Sequence, residues 1–452
     1  MTISRFIETG FRKCIPAPFT LAVLLTFLTL VLAFFFTGDQ SWSGTVQILK
    51  SWQAGMWQPS LLVFMVQMML ILVLGHVLVL SKPMALLTSR LTSMVRENTS
   101  AAIIVAVSTM LVAFFNWGLG LIFGAIMARK IAETAQKRQF KINYPLIGAA
   151  GYVGLMVWHG GLSGSAPLKA AEAGHISSLL PGLSQESLPE VIPVESTIMS
   201  SWNLLAFLAL LLLIPTVLYF LSRMGTTGPV QMFRPEEPEK RERVSGAEKL
   251  DRSKWFSLIF GTLLAAAFVS SYGRDLLSGN LTPNMLNFFM LVLCVLLHAS
   301  FSSFLSALDD AIVGAAAILI QFPLYFGIMG VMQDSGMVTD IALFFSGIAN
   351  QDSLPLYTFF SAALVNIFVP SGGGQWAVQG PIVLQSALEL GVPLNKAIMA
   401  FSYGDQISNM LQPFWALPLL AITGLKAKEI LPYTLILMLC GLVVFITTLS
   451  VI

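Results

Sequence analysis

Five stretches of this chain, residues 20–36, 61–80, 198–221, 255–269 and 431–452, carry no Asp, Glu, Lys or Arg. Each is near the ~20 residues that an α-helix needs to cross hydrocarbon. Only 11% of the 452 residues are charged and 56% are hydrophobic, whereas an ordinary soluble domain is about 25% charged. So little charge does not cover a water-facing surface, and the expected class is an all-α polytopic protein in a lipid bilayer. The first run is too long for a signal-peptide core and no small-residue cleavage site follows it, so its removal is not expected. A net charge of +2 gives no reason to expect a nucleic-acid partner. Cys14, Cys294 and Cys440 lie far apart without metal or disulfide spacing, so neither a metal nor a cofactor is expected.

Lys and Arg favour cytoplasmic loops. Arg5, Arg12 and Lys13 therefore put the N-terminus inside, and the loop with only Asp39 and Lys50 outside. The apolar run 100–128 has basic flanks at both ends and is broken by "NWGLG", Asn116 to Gly120. It reads as a re-entrant hairpin with two arms of about 14 residues, each too short to span alone. A single tilted helix is the alternative. Residues 144–171 cross outward and are interrupted by "WHGGLSGSAP". The acidic stretch 174–196 lies outside, and "RPEEPEKRERVSGAEKLDRSK" is a solvated cytoplasmic linker. No Lys or Arg occurs between Arg274 and Lys396, so the second interrupted run, 354–390, enters from outside. The expected sum is about nine transmembrane helices plus two re-entrant hairpins, with the C-terminus periplasmic.

The order of features repeats. "NTSAAIIVAVSTMLVAFFNWGLG" is similar to "NQDSLPLYTFFSAALVNIFVPSGGG", and "YVGLMVWHGGLSGSAPL" to "YGDQISNMLQPFWALPL". Asn98 aligns with Asn350 and Pro167 with Pro418, at offsets of 252 and 251. The expected organisation is a first repeat over 1–222, with its hairpin at 100–128 and a broken helix at 144–171. A linker and connecting helix follow at 223–272. The second repeat covers 273–452, with its hairpin at 354–390 and a broken helix at 396–425. The single connecting helix turns the second repeat upside down, the plan of secondary transporters with a midplane site. Broken backbone at membrane depth survives only inside protein or beside a watery cavity.

A helix N-terminus presents unpaired N–H groups and the positive end of a dipole, and glycine lets an anion approach them. Candidate carboxylate-binding residues are therefore Asn116, Gly118 and Gly120 in the first hairpin and Ser371, Gly372, Gly373, Gly374 and Gln375 in the second. His159 and Ser163 join them from the first broken helix. The competing reading of these glycines is close helix packing. Asp405, with Gln406 and Asn409 beside it, is the candidate for coupling to a proton or sodium ion, because an intramembrane carboxylate is functional by default. Asp309 and Asp310 fall at a solvated helix end, Lys169 and Glu172 read as a local pair, and His76, His175 and His298 as structural residues.

"VPSGGGQWAVQGP", with "ALVNIF" before it and "SYGDQISNMLQPFW" after, resembles the bacterial short-chain fatty acid transporter family of the ion transporter superfamily. The likeness extends over essentially the whole chain, including "NWGLGLIFG" and "HGGLSGSAPL". It implies uptake of acetoacetate, butyrate or similar monocarboxylates across the bacterial inner membrane, with cation coupling and alternating access. A homodimer is compatible with it. Dicarboxylate carriers of the superfamily resemble one another in Ser-Asn-Thr tips; neither tip here has them, so sodium coupling does not transfer to Asn116 or Ser371. Phe368, Val369, Trp117 and Trp376 are the expected apolar surroundings of the tips. Rival readings are a carrier of another anion such as a dicarboxylate, an anion channel, and an intramembrane serine protease built on "GLSG" (Ser163) with His298.

Overall fold

Backbone in hydrocarbon has to bond within itself, and nearly all of the described chain is helical. The computed structural model describes residues 16–36, 40–180, 188–224, 227–228, 246–277, 282–312 and 315–451. Arg5, Arg12, Lys13, Cys14, Asp39, Glu186 and most of the charged linker lie outside them.

The first half runs through α1 (Pro18–Phe36), α2 (Trp42–Met56), α3 (Pro59–Leu80) and α4 (Lys82–Ser93). It continues with α5 (Asn98–Phe115), α6 (Trp117–Arg138), α7 (Tyr144–Ala150), α8 (Ser165–Ala170), α9 (His175–Leu179) and α10 (Ser201–Met224). The short α11 (Glu248–Asp251) and α12 (Lys254–Leu277) connect to α13 (Pro283–His298). The second half then has α14 (Phe301–Ile312), α15 (Ala316–Asp334), α16 (Met337–Gly347), α17 (Leu354–Phe368), α18 (Gly372–Glu389), α19 (Leu394–Ser408), α20 (Pro413–Thr423) and α21 (Ala427–Val451). Two helices, a short helix, a hairpin, a broken helix and a long helix thus occur twice in the same order: α2 to α10, and α14 to α21.

Six of the described helices, α1, α3, α5, α10, α12 and α21, are long and apolar enough to cross a membrane. Further apolar helices, α13 and α17 among them, are shorter. Large side chains on α1 and α12, such as Phe27, Phe35, Leu263 and Val269, are exposed. Facing lipid, they need no protein cover.

Two expectations change. The supposed outer loop around Lys50 is α2, started by Ser41, whose Oγ accepts the Gly44 amide at 3.1 Å. It packs along α15. A search for span-length runs passes over such a helix because its Lys, Gln and Ser residues interrupt the apolar pattern; α4, α14 and α16 were passed over likewise. The first hairpin is also longer than expected, with arms of 18 and 22 residues, so α5 alone reaches span length. Its arms close on a buried alanine face, Ala102, Ala106 and Ala113. A Cβ on Gly120 would lie 2.5 Å from the Ala113 Cα.

Candidate functional site

Each hairpin turns on one polar residue held in extended backbone. Asn116 (φ −150°, ψ 123°) ends α5, donating its amide to the Val112 carbonyl, and starts α6, its Oδ1 accepting from the Leu119 amide at 2.9 Å. Ser371 (φ −146°, ψ 100°) starts α18 in the same manner, its Oγ accepting from the Gly374 amide at 3.3 Å. The cap satisfies one early N–H of each second arm and leaves others bare. The amides of Gly118, Gly372 and Gly373 donate to no acceptor among the described residues.

All three glycines line one cavity of about 650 Å³. The two hairpin tips, which are far apart in sequence, therefore open onto the same space. Asn116, Ser371, Ser163 and Ser165 add polar atoms to the wall, and Phe64, Ile71, Leu286 and Trp117 form an apolar side. Trp158, Trp376 and Trp415 complete the aromatic lining. Trp117 packs edge-on against Trp415 with ring centroids 5.1 Å apart. The indole Nε1 atoms of Trp158 and Trp415 are buried without an acceptor.

The helix breaks are closed both within each half and by side chains from the other half. Leu162 donates its amide to Phe114 O at 2.7 Å, and Gln412 Nε2 donates to Asn366 O and Ile367 O. Gln406 Oε1 accepts the amides of His159 and Gly160. The Tyr152 hydroxyl donates to the carbonyls of Asn409 and Gln412. Tyr403 donates to Asn203 Oδ1, and Asn203 Nδ2 in turn donates to Gly160 O.

His159 and Asp405 are completely buried and hydrogen-bonded to each other through Nδ1 and Oδ2. His159 Nε2 accepts from the Ala166 amide at 3.0 Å. Nδ1 therefore carries the ring hydrogen and donates to the carboxylate. The pair lies immediately behind the second tip: a Cβ on Gly372 would be 2.9 Å from His159 Cε1 and 3.3 Å from Asp405 Oδ2.

Of the residues expected at the site, Asn116, Gly118, Ser163, Ser371, Gly372 and Gly373 line the cavity. Gly120 is a hairpin-packing glycine, and Gly374 is tied to the Ser371 cap. Gln375 points into the second hairpin, donating to Ala362 O and Gln379 Oε1. Asp405, Gln406 and Asn409 stand together behind the wall. Trp117 and Trp376 line the cavity but Phe368 and Val369 do not.

Residues outside the expected set also appear there. Trp158 and Trp415 belong to the break motifs "WHGGLSGSAP" and "SYGDQISNMLQPFW" themselves. Lys169 and Glu172 form their predicted pair at 2.9 Å, but on the cavity rim. His175 joins them, its Nε2 accepting from Trp376 Nε1 at 3.1 Å. Burial, the largest influence, lowers the His175 pKa, with Glu172 opposing and Lys169 reinforcing. The Ser163–His298 pair of the protease reading does not form, since Ser163 Oγ accepts the Trp117 amide and His298 contacts Val77 O and Ser303 Oγ.

A family model described as "Short chain fatty acid transporter" matches residues 1–452. An Escherichia coli protein named as a candidate short-chain fatty acid transporter is 37% identical over 468 residues, covering 99% of each chain. A Haemophilus influenzae protein with the same name is 35% identical over 438 residues, covering 95% of each. The crystal structure of the YdaH transporter of Alcanivorax borkumensis aligns with 95% of this chain and 98% of its own, at 14% identity and a TM-score of 0.46.

Proposed function

The chain belongs to the short chain fatty acid transporter family, and on that premise we propose a secondary active carrier of short monocarboxylates such as acetoacetate or butyrate. It is a multi-pass membrane transporter and not an enzyme. One observation carries the proposal: free amides of Gly118, Gly372 and Gly373, from two separate hairpins, line a single cavity. Backbone N–H groups at helix starts bind a carboxylate without a formal positive charge. The apolar wall of Phe64, Ile71 and Leu286 suits a short hydrocarbon tail.

A monocarboxylate is favoured over a dicarboxylate by the charge balance. Lys169 is the one Lys or Arg among the described lining residues, and Glu172 already engages it. Because one anion gripped by two hairpins is released when either tip withdraws, alternating access follows from moving the tips in turn. Asp405, with Gln406 and Asn409, is the proposed coupling position. The acidic 174–196 stretch and the basic loops support the bacterial inner membrane, with the N-terminus cytoplasmic, the C-terminus periplasmic and the cavity rim outward.

Counterflow in proteoliposomes tests the carrier. Vesicles loaded with unlabelled acetoacetate should transiently concentrate labelled acetoacetate, and Gly373→Val should abolish the overshoot. Equilibration without overshoot in the wild type would indicate a channel and reject the proposal.

A further inference from the structure

The buried His159–Asp405 pair has one open position. Oδ2 of Asp405 is taken by His159, whereas Oδ1 is buried with no hydrogen-bond partner among the described residues. The imidazole is closed to a further proton, because Nδ1–H faces Asp405 and Nε2 already accepts the Ala166 N–H. An imidazolium would set two N–H groups against each other. Gln406 Oε1 is engaged by two backbone amides and Asn409 Oδ1 by Asn366 Nδ2 at 2.7 Å, while the neutral amide oxygen of Asn366, also without a partner among the described residues, takes no proton.

Other titratable groups on the surrounding elements do not compete. Tyr357, Glu389 and Lys396 lie at the distal ends of α17, α18 and α19. Tyr152 and Tyr403 donate elsewhere. Lys169, Glu172 and His175 face the cavity from its rim. The pair lies against the Gly372 backbone, and the Trp158 ring stacks on His159; Gly372 and Trp158 both line the cavity.

Resting on the carboxylate-site reading above, we propose that the coupling ion is a proton, taken from water by Asp405 Oδ1 when the anionic substrate binds. His159 is a positioning residue that holds Oδ2. Two negative charges in one dry wall oppose each other. Substrate therefore favours the protonated carboxyl, and protonation favours substrate by the same factor. One carboxylate and one proton cross together, and withdrawal of the second tip uncovers Asp405 so that both leave. Affinity should fall as pH rises, by up to about tenfold per pH unit, since the bound state holds one more proton.

Calorimetric titration of the purified wild-type protein with butyrate, in two buffers of different ionisation enthalpy, counts the protons. The expected result is uptake of about one proton per butyrate. Asp405→Asn should bind butyrate with no net uptake and with affinity flat in pH. Wild-type binding without proton uptake, or binding that requires sodium and takes up no proton, overturns the inference even if Asp405→Asn proves unstable. A wild type that exchanges substrate in counterflow but fails the proton count leaves the carrier standing. A wild type that binds no butyrate brings down the site reading and this inference together.

Discussion

Adjacent glycines in the second tip do different jobs, and each is testable by adding one methyl group. At Gly372 a Cβ would meet Trp158 at 2.7 Å and His159 at 2.9 Å, whereas at Gly373 the nearest atoms belong to Ser165 at 3.9 Å. Gly372→Ala should therefore destabilise the protein by about 1–3 kcal/mol through overpacking. Gly373→Ala should leave stability unchanged and weaken butyrate binding severalfold; thermal unfolding and calorimetry together separate the two. At the rim, Trp376 can only donate, so its bond to His175 requires a neutral ring. Because the folded protein lowers the His175 pKa, this contact stabilises fully above the ordinary histidine value of about 6.5. It is lost as pH falls from there through the lower folded value. The wild-type Tm should drop over that interval, and His175→Gln, which keeps an acceptor without titrating, should flatten the drop. Sequence identified Gly118, Gly372 and Gly373 because helix-hostile residues in an apolar run have few other uses. It misassigned Gln375, whose polarity serves the hairpin interior, and passed over Trp158 and Trp415, since an indole in an apolar segment looks like packing until it is found on the cavity wall.

Among the elements, the hairpins and broken helices were legible because Asn, Gly and Pro interrupt long apolar runs. Their lengths were less so: the arm after Asn116 continues through charged residues to Arg138, well past where hydrophobicity stops. The short helices α2, α4, α14 and α16 have amphipathic or mixed sequences, and α2 and α14 pack on partners distant in the chain. The first tip is fixed to the first broken helix by two bonds, Leu162 N–H to Phe114 O and Trp117 N–H to Ser163 Oγ at 2.9 Å. Ser163→Ala leaves that amide without its acceptor and should cost about 1–3 kcal/mol. Thermal unfolding measures the loss, and Ser163→Thr, which restores a hydroxyl, should recover much of it.

At the scale of the whole molecule, the two halves complete each other. Gln406 of the second half caps the break at His159, Tyr152 of the first donates into the break at Asn409, and His159 and Asp405 join across the same boundary. The similar order of motifs in the two halves suggested the repeat, but no spacing could reveal that both tips open onto one cavity, because that depends on how the halves dock. That shared cavity is the central claim. A crystal of the protein grown with 4-bromobutyrate addresses it directly, since anomalous scattering locates the bromine independently of the protein. The carboxylate should lie within about 3 Å of the Gly118, Gly372 and Gly373 amide nitrogens, with the bromine against Phe64, Ile71 and Leu286. Anomalous density at a different site, with the tip amides untouched, would contradict the account.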